Sequence, residues 1–133
     1  MSGLILKLGP YERVLVNGAV IQNGDRRSKI SIVTPNANIL RLRDAIRPTE
    51  ADTPVRRVCY IVQLVLTGDL QSDSCVDKIQ QGINQLEGVF GESSLSEHLS
   101  SARTALASQD FYRVLKSLRR LLDVESELLR AKT

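Results

Sequence analysis

The spacing of apolar residues changes near residue 50, and this change limits the fold more than any other feature of the chain. Before it, apolar side chains recur at every second position, as in Leu4, Leu6 and Leu8, which is the period of a half-buried strand. After it, they recur every three or four positions, the period of an amphipathic helix. The sequence therefore predicts an α+β fold, with a small antiparallel β-sheet or barrel of about five short strands in residues 1–50 and a bundle of about four α-helices in residues 51–133.

Turn residues separate the predicted strands. Asn17-Gly18 lies between the apolar residues of 13–16 and 19–22, and both turn residues accept the positive φ of a type I′ hairpin. Asn23-Gly24-Asp25 predicts a second turn. Further strands are predicted over residues 29–34, which Pro35 ends, and over residues 39–43.

The helical half contains start and stop signals. Thr53 is a suitable N-cap, Pro54 suits the first helical position, and Gly68 is a suitable end. Two pairs resemble capping boxes that would open the next two helices, Ser74 with Asp77 and Ser94 with Glu97. After a break at residues 108–110, one face of the last predicted helix carries Phe111, Leu115, Leu118, Leu122 and Leu129.

Composition excludes several classes of protein. Apolar residues make up 42% and charged residues 25% of the 133 residues, which argues against a disordered tail or a fibrous repeat. The longest apolar stretch, residues 58–66, is interrupted by Gln63 and is far shorter than the roughly 20 residues of a membrane span. The N-terminus shows no signal-peptide pattern. We therefore expect a cytoplasmic protein without membrane association.

Few residues could support catalysis or hold a metal. Cys59 and Cys75 are too few for a disulfide scaffold, and we expect both to be reduced and packed as small apolar groups. His98 is the single histidine, the serines near it lie in no Gly-x-Ser-x-Gly motif, and no phosphate-binding P-loop is present. We therefore expect no enzyme activity, metal or cofactor, and hydrolase chemistry at His98 is the weakest hypothesis.

The charge is distributed unevenly along the chain. Residues 1–60 contain ten Lys and Arg against five acidic residues, whereas residues 61–133 contain eight basic against ten acidic residues. A basic half of this kind suggests a polyanionic partner.

Strand alternation predicts where the basic residues point. If Leu4, Leu6, Leu8, Ile30, Ile32, Leu40 and Leu42 fill the buried face, Lys7, Lys29, Arg41 and Arg43 lie on the opposite face, and the turn at residues 23–28 adds Arg26 and Arg27. A one-sided basic sheet fits polynucleotide binding, through arginine planes and backbone groups rather than an aromatic platform. The alternative is an exposed face that these residues merely solvate.

Arg56 and Arg57 are two further candidates, because they lie in the first turn of a predicted helix, where the macrodipole disfavours cations. The alternative explanation is an ion pair with Glu50 or Asp52.

The last predicted helix has two distinct faces. Arg113, Lys116 and Arg120 lie opposite the leucine stripe together with Asp123 and Glu127, and mixed signs favour a plain solvated surface. Val114, Leu121 and Leu128 broaden the apolar side. A stripe of this width is compatible with a homodimer or a helical partner.

The sequence resembles the FlbT family, the flagellar biosynthesis repressors of alphaproteobacteria. The resemblance covers residues 6–69, about half of the chain. The matching stretches are Leu-Lys-Leu (6–8), Glu-Arg-Val-Leu-Val-Asn-Gly-Ala-Val-Ile (12–21), Ser-Ile-Val-Thr-Pro (31–35), Asn-Ile-Leu-Arg (38–41) and Thr-Pro-Val-Arg-Arg-Val-Cys-Tyr-Ile-Val-Gln-Leu-Val-Leu-Thr-Gly-Asp (53–69).

This resemblance implies a post-transcriptional regulator of flagellin. Members of the family are described as associating with the 5′ untranslated region of flagellin mRNA and lowering its translation and lifetime, although in some the effect is positive. A protein encoded nearby, FlaF, usually acts in opposition.

A second resemblance, to the carbon storage regulator family, concerns the mode of RNA binding. That family also packs five short strands into about 45 residues, and the Arg-acid-x-Ile pattern at the end of its last strand contacts RNA. Arg43-Asp44-Ala45-Ile46 is similar to this pattern. That family has no helical half of this size, and its RNA site needs an intertwined dimer.

Two functions follow as hypotheses. In the first, the basic residues 7, 26, 27, 29, 41, 43, 56 and 57 bind the 5′ untranslated region of a flagellin message, with no DNA partner expected, while the helical half dimerises or recruits a partner. In the second, the chain is a protein-interaction module that binds flagellin or FlaF and affects the message only indirectly.

Overall fold

The computed structural model describes residues 4–131, which contain five strands and five α-helices. The strands are β1 (Leu4–Leu8), β2 (Arg13–Val16), β3 (Ala19–Gln22), β4 (Ser28–Ile32) and β5 (Ile39–Arg41). The helices are α1 (Pro54–Thr67), α2 (Ser72–Phe90), α3 (Ser96–Ala107), α4 (Phe111–Arg119) and α5 (Leu122–Ala131). The predicted α+β class, with strands first and helices after, is confirmed. None of the helices in this range is long and apolar enough to span a membrane.

The five strands form two antiparallel sheets. β1 pairs with β4, and β2 lies between β3 and β5. The predicted hairpin is confirmed, because Asn17 and Gly18 both have positive φ and β2 pairs with β3 across them. Asn17 also fixes the next connection, since its side-chain oxygen accepts a hydrogen bond from the Asn38 backbone N–H at 2.8 Å.

The last strand is shorter than predicted. It ends at Arg41, and residues Leu42–Asp44 form a 3-10 turn, so the predicted burial of Leu42 is wrong and this side chain is 37% exposed. The two other residues of β5 face different cores: Ile39 packs with Leu6 and Leu8, whereas Leu40 packs with the helices. The strand lies between two layers, and a two-sided environment of this kind does not follow from simple alternation.

The helices bury the larger core, and their boundaries test the predicted caps. Thr53 caps α1 by accepting the Arg56 backbone N–H, and Gly68 ends that helix with a φ of 85°. Both predicted capping boxes are wrong. α2 begins at Ser72 and α3 at Ser96, and neither has a side-chain cap. The last predicted helix is divided into α4 and α5 by a turn at Arg120 and Leu121.

Three polar contacts join distant segments to the helices. Gln63 of α1 exchanges two hydrogen bonds with the backbone of Ile46, at 2.7 and 3.0 Å. Asn36 donates to the Ser108 carbonyl at 2.9 Å. The carboxylate of Glu125 in α5 accepts hydrogen bonds from the Thr53 hydroxyl and from a backbone N–H at the start of α1. These contacts attach α5 and the loop after β5 to α1, and the loop before β5 to the end of α3.

Both cysteines are free and buried, as predicted. Burial raises the pKa of the Cys59 thiol to about 12, so that the unreactive thiol form dominates at neutral pH.

Candidate nucleic-acid interface

An open groove of about 620 Å³ runs between the strands and the last two helices, and we call it the sheet–helix groove. β1 and β5 contribute one wall, and α4 with the start of α5 contributes the other. Among the described residues, six cations and two carboxylates line it. The cations are Lys7, Arg41, Arg43, Lys116, Arg119 and Arg120, and the carboxylates belong to Asp44 and Asp123.

A second hollow of about 410 Å³ continues the groove along the sheet, and we call it the strand hollow. Lys7 and Arg43 line both depressions, and Arg27 and Lys29 add two cations that only the hollow contacts. The structure therefore brings five of the eight predicted RNA-binding residues to one surface: Lys7, Arg27, Lys29, Arg41 and Arg43.

Lys7 and Lys29 are direct cross-strand partners on β1 and β4. Both side chains are exposed, and neither forms an ion pair with any residue between 4 and 131. Like charges directly opposite each other destabilise a strand pair, so an anion bound between them would relieve this repulsion. The pairing follows from the register of β1 and β4 and was not visible in the spacing of the sequence.

Arg41 is placed differently from an exposed sheet arginine. Its side chain is 14% exposed, and its Nη1 lies 2.7 Å from Oε2 of Glu12. Burial disfavours the charged guanidinium, but the hydrogen bond and charge of Glu12 outweigh it, and the pKa of Arg41 is raised. Arg41 thus supports the wall of the groove, and only a small part of it is accessible to a ligand.

Glu12 contacts both arginines of this wall, Arg41 and Arg43. Its carboxylate is 9% exposed, accepts the Gly9 backbone N–H at 3.0 Å, and lies 3.6 Å from Nε of Arg43. Desolvation opposes ionisation, but the Gly9 hydrogen bond and the two arginines prevail, so the pKa of Glu12 is lowered from its ordinary value of 4.5. The ionised carboxylate is therefore part of the folded structure.

Glu12→Gln should weaken the fold in a pH-dependent way. Because the folded protein holds the lower pKa, the stabilisation from Glu12 is fully present above the ordinary glutamate pKa and is lost as the pH falls through the lowered value. We expect the variant to be less stable at pH 7 and its stability to depend less on acid pH, measured by urea unfolding between pH 3 and 7. Glu92→Gln, at an exposed residue, is the control, and equal acid profiles for the two variants would contradict this role.

Arg43 is the more accessible of the two arginines beside Glu12. Its side chain is 65% exposed, and its contacts with charged groups of the described residues are long, at 3.6 Å to Glu12 and 4.0 Å to Asp44. It lies in the 3-10 turn after β5, not on a strand. The similarity to the carbon storage regulators therefore extends to the Arg-acid pattern but not to its position at the end of a strand, and the predicted RNA contact of Arg43 stays a prediction.

The helical wall carries cations for which the sequence alone favoured a plain solvated surface. Lys116 and Arg120 line the groove and have no ion-pair partner in the described part of the chain. Arg119 instead binds Asp44, with its guanidinium 3.2 Å from the carboxylate and 3.3 Å from the carbonyl. The four-residue spacing of Lys116 and Arg120 predicts that they share one face at the end of α4. That this face lines a groove follows only from the position of α4 beside β1 and β5.

Three predicted candidates lie outside the groove and the hollow. Arg56 pairs with Asp52 at 3.8 Å, as the alternative explanation proposed. Arg57 and Arg26 are exposed and line neither depression. Asn23 holds the loop of Arg26 by donating to the Gly9 carbonyl at 2.7 Å and to the Arg26 carbonyl at 2.8 Å.

Tyr112 is the aromatic residue of the groove, and no signal in the sequence singled it out. It is the second residue of α4, lines the groove, and packs partly against the small core of β1, β2 and β5. With cations on both walls, the groove can hold the phosphates of a single strand while a tyrosine edge and arginine planes contact bases.

The family model described as "Flagellar protein FlbT" matches residues 4–129, which is nearly the whole chain. The chain belongs to the FlbT family. The match includes both walls of the groove and the helical half, beyond the stretches that first suggested the resemblance. The predicted family is thus confirmed.

Curated relatives of the FlbT family agree with this assignment. The flagellum biosynthesis repressor protein FlbT of Caulobacter vibrioides is 27% identical over 126 residues, covering 95% of this chain and 89% of its own length. Two proteins named as probable repressors of the same kind are 33% identical in Bradyrhizobium diazoefficiens and 31% identical in Rhodopseudomonas palustris. They cover 94% and 95% of this chain, and 84% and 97% of their own lengths. No solved structure matches the chain. These relatives support a repressor role in flagellar synthesis.

Proposed function

We propose that this protein is a post-transcriptional repressor that binds the 5′ untranslated region of flagellin mRNA in the sheet–helix groove and the strand hollow. The observation that carries the proposal is a set of unpaired cations that converge on one surface from the strands and from α4. The message would then be translated less or degraded faster, with no chemistry performed by the protein itself.

The ion pairs of the molecule separate structural cations from available ones. Among the described residues, six arginines each have a carboxylate partner within 4 Å: Arg41, Arg43, Arg56, Arg103, Arg113 and Arg119. In contrast, five cations along the groove and the hollow have none among the described residues: Lys7, Arg27, Lys29, Lys116 and Arg120. An unpaired cation can neutralise a phosphate and so release counterions condensed on the nucleic acid, which is a large source of affinity for nucleic acids.

The shape of the surface favours a single strand. The groove is open, and the part of the chain that the structure describes contributes one tyrosine to it rather than a platform of aromatic residues. Sequence-selective binding of RNA usually targets unpaired segments, whose bases can turn toward side chains and backbone groups. A messenger leader provides such segments, and Arg43, whose side chain is 65% exposed, is accessible to a base there.

The alternative hypothesis of a protein-interaction module, which the modest net charge and the few aromatic residues favour, takes the apolar stripe of the last helix as its docking surface. In the structure, Val114 and Leu121 are fully buried, so most of the stripe packs within this chain. Leu128 and Leu129 stay about half exposed near the end of α5. This remainder is much smaller than the predicted docking face, and we therefore place RNA binding first.

A translation assay tests the proposed function directly. Purified protein is added to a cell-free translation reaction with a reporter behind a flagellin 5′ leader, and a scrambled leader of equal length and composition is the control. We expect selective loss of reporter synthesis from the flagellin leader. Equal synthesis from both messages, together with equal message lifetimes, would contradict repression by this protein alone. If repression appeared only after addition of FlaF or flagellin, the interaction module would be the correct function.

A further inference from the structure

A third depression lies on the outer side of α3 and α4, and we call it the α3–α4 cleft. It has a volume of about 580 Å³. His98, Ser101 and Thr104 line it from α3, and Arg113 and Ser117 line it from α4. The binding surface proposed above does not include this cleft, and in the sequence only a hydrolase hypothesis involved His98.

The cleft is continuous with the sheet–helix groove. Lys116 and Arg120 line both depressions, so their side chains form a ridge between them. Lys7 and Arg43 join the groove to the strand hollow in the same way. The strand hollow, the groove and the cleft therefore lie in a row from the β1–β4 sheet, past α4, to α3. Lys7 lines the first boundary, and Lys116 and Arg120 line the second; none of the three has an ion-pair partner among the described residues.

The lining of the cleft suits a sugar–phosphate chain. Three cations and one carboxylate line it among the described residues, and the carboxylate, that of Asp110, is bound by Arg113 at 3.0 Å. Arg113 is still 55% exposed. The hydroxyls of Ser101 and Ser117 bond no described residue, so they are free to bond phosphate oxygens or ribose 2′-hydroxyls.

We propose that the α3–α4 cleft is a second segment of the RNA site, which a single-stranded RNA enters by crossing the ridge of Lys116 and Arg120. This inference rests on the proposed function and extends the binding site from the sheet–helix groove across Lys116 and Arg120 to α3. It implies a binding site longer than the groove alone, so the affinity for RNA should continue to rise with length after the groove is filled.

A length series of RNA with charge variants tests this inference. The probes are fluorescent single-stranded oligonucleotides of one leader sequence, from about 4 to about 16 nucleotides, a range typical of single-strand sites. Ser101→Glu places a negative charge in the cleft, and Gln85→Glu makes the same charge change on the exposed side of α2. We expect Ser101→Glu to weaken binding of the longest RNA about fivefold, and to leave the shortest RNA that binds unchanged, because only the long RNA reaches the cleft. Gln85→Glu should leave both unchanged.

The opposite substitution guards against an effect on folding. Ser101→Lys should tighten binding of the long RNA, whereas Gln85→Lys should not. One outcome would overturn this inference alone: both Ser101 variants bind the long RNA as the wild-type protein does, while Lys7→Glu still weakens that binding. The RNA would then end at the ridge, and the proposed function would stand. If the wild-type protein bound none of the oligonucleotides, both would be wrong.

Discussion

Reversing one cation on each wall of the sheet–helix groove, in Lys7→Glu/Lys116→Glu, should lower the affinity for the flagellin leader about 100-fold at moderate salt. Two phosphate contacts would be lost and two repulsions gained, and the slope of log affinity against log salt should fall by about 1.4. The fold should tolerate both changes. The new carboxylate on β1 would face Lys29 across the β1–β4 pair, and the new carboxylate on α4 would precede Arg120 by one helical turn.

The matched control is Arg57→Glu/Lys78→Glu, which makes the same change of net charge at exposed residues of α1 and α2. Neither of these residues lines the groove, the strand hollow or the cleft. We expect less than about a threefold loss of affinity in this control, since only long-range repulsion changes. Equal losses in the two variants would mean that net charge, and not the groove, determines binding.

Replacing Glu125 by alanine should have the largest effect on stability, a loss of about 3 kcal/mol in the free energy of unfolding. Its carboxylate is 7% exposed and accepts hydrogen bonds from the Thr53 hydroxyl and, at 2.9 Å, from the Val55 backbone N–H. It also lies at the positive end of the α1 dipole. Without it, the buried Val55 N–H and the partly buried Thr53 hydroxyl lose their acceptor, and α5 loses its main polar link to α1.

Glu127→Ala is the control for this stability prediction, because Glu127 is exposed on the same helix and the change in charge and size is the same. It should change the free energy of unfolding by less than about 0.5 kcal/mol. Glu125→Gln keeps the shape of the side chain but not its charge, so its loss in the free energy of unfolding should lie between those of Glu125→Ala and Glu127→Ala. Urea unfolding followed by circular dichroism measures all three, and a Glu125→Ala value close to that of Glu127→Ala would show that this contact is not important.

Local signals in the sequence predicted much of the fold. The Asn17-Gly18 turn and the Thr53 cap depend on neighbouring residues alone, and both are present in the structure. The two capping boxes failed even though their residue types fitted, because helices α2 and α3 begin elsewhere: Ser74 lies inside α2 and donates to the Gln71 carbonyl instead. A cap motif indicates a helix nearby better than it locates its first residue.

The parts of the candidate site that the sequence did not predict depend on contacts between distant segments. Glu12 precedes Arg41 by 29 residues, and their ion pair holds Arg41, a predicted RNA contact, mostly within the wall of the groove. Lys116 and Arg120 became wall residues only because α4 packs beside β1 and β5. Strand alternation correctly predicted that Lys7 and Lys29 point to solvent. It did not predict that the two residues are cross-strand partners, because the register depends on how two strands pair.

In the proposed function, the protein itself binds the flagellin leader through cations that have no ion-pair partner among the described residues. The most direct test is the binding of the purified protein, without FlaF, to a labelled flagellin 5′ leader and to a scrambled RNA, from about 50 to about 300 mM salt. We predict tighter binding of the leader and a log–log salt slope of about −3.5, because five cations without an ion-pair partner among the described residues line the groove and the hollow. Equal binding of both RNAs, or a slope near zero, would contradict the claim.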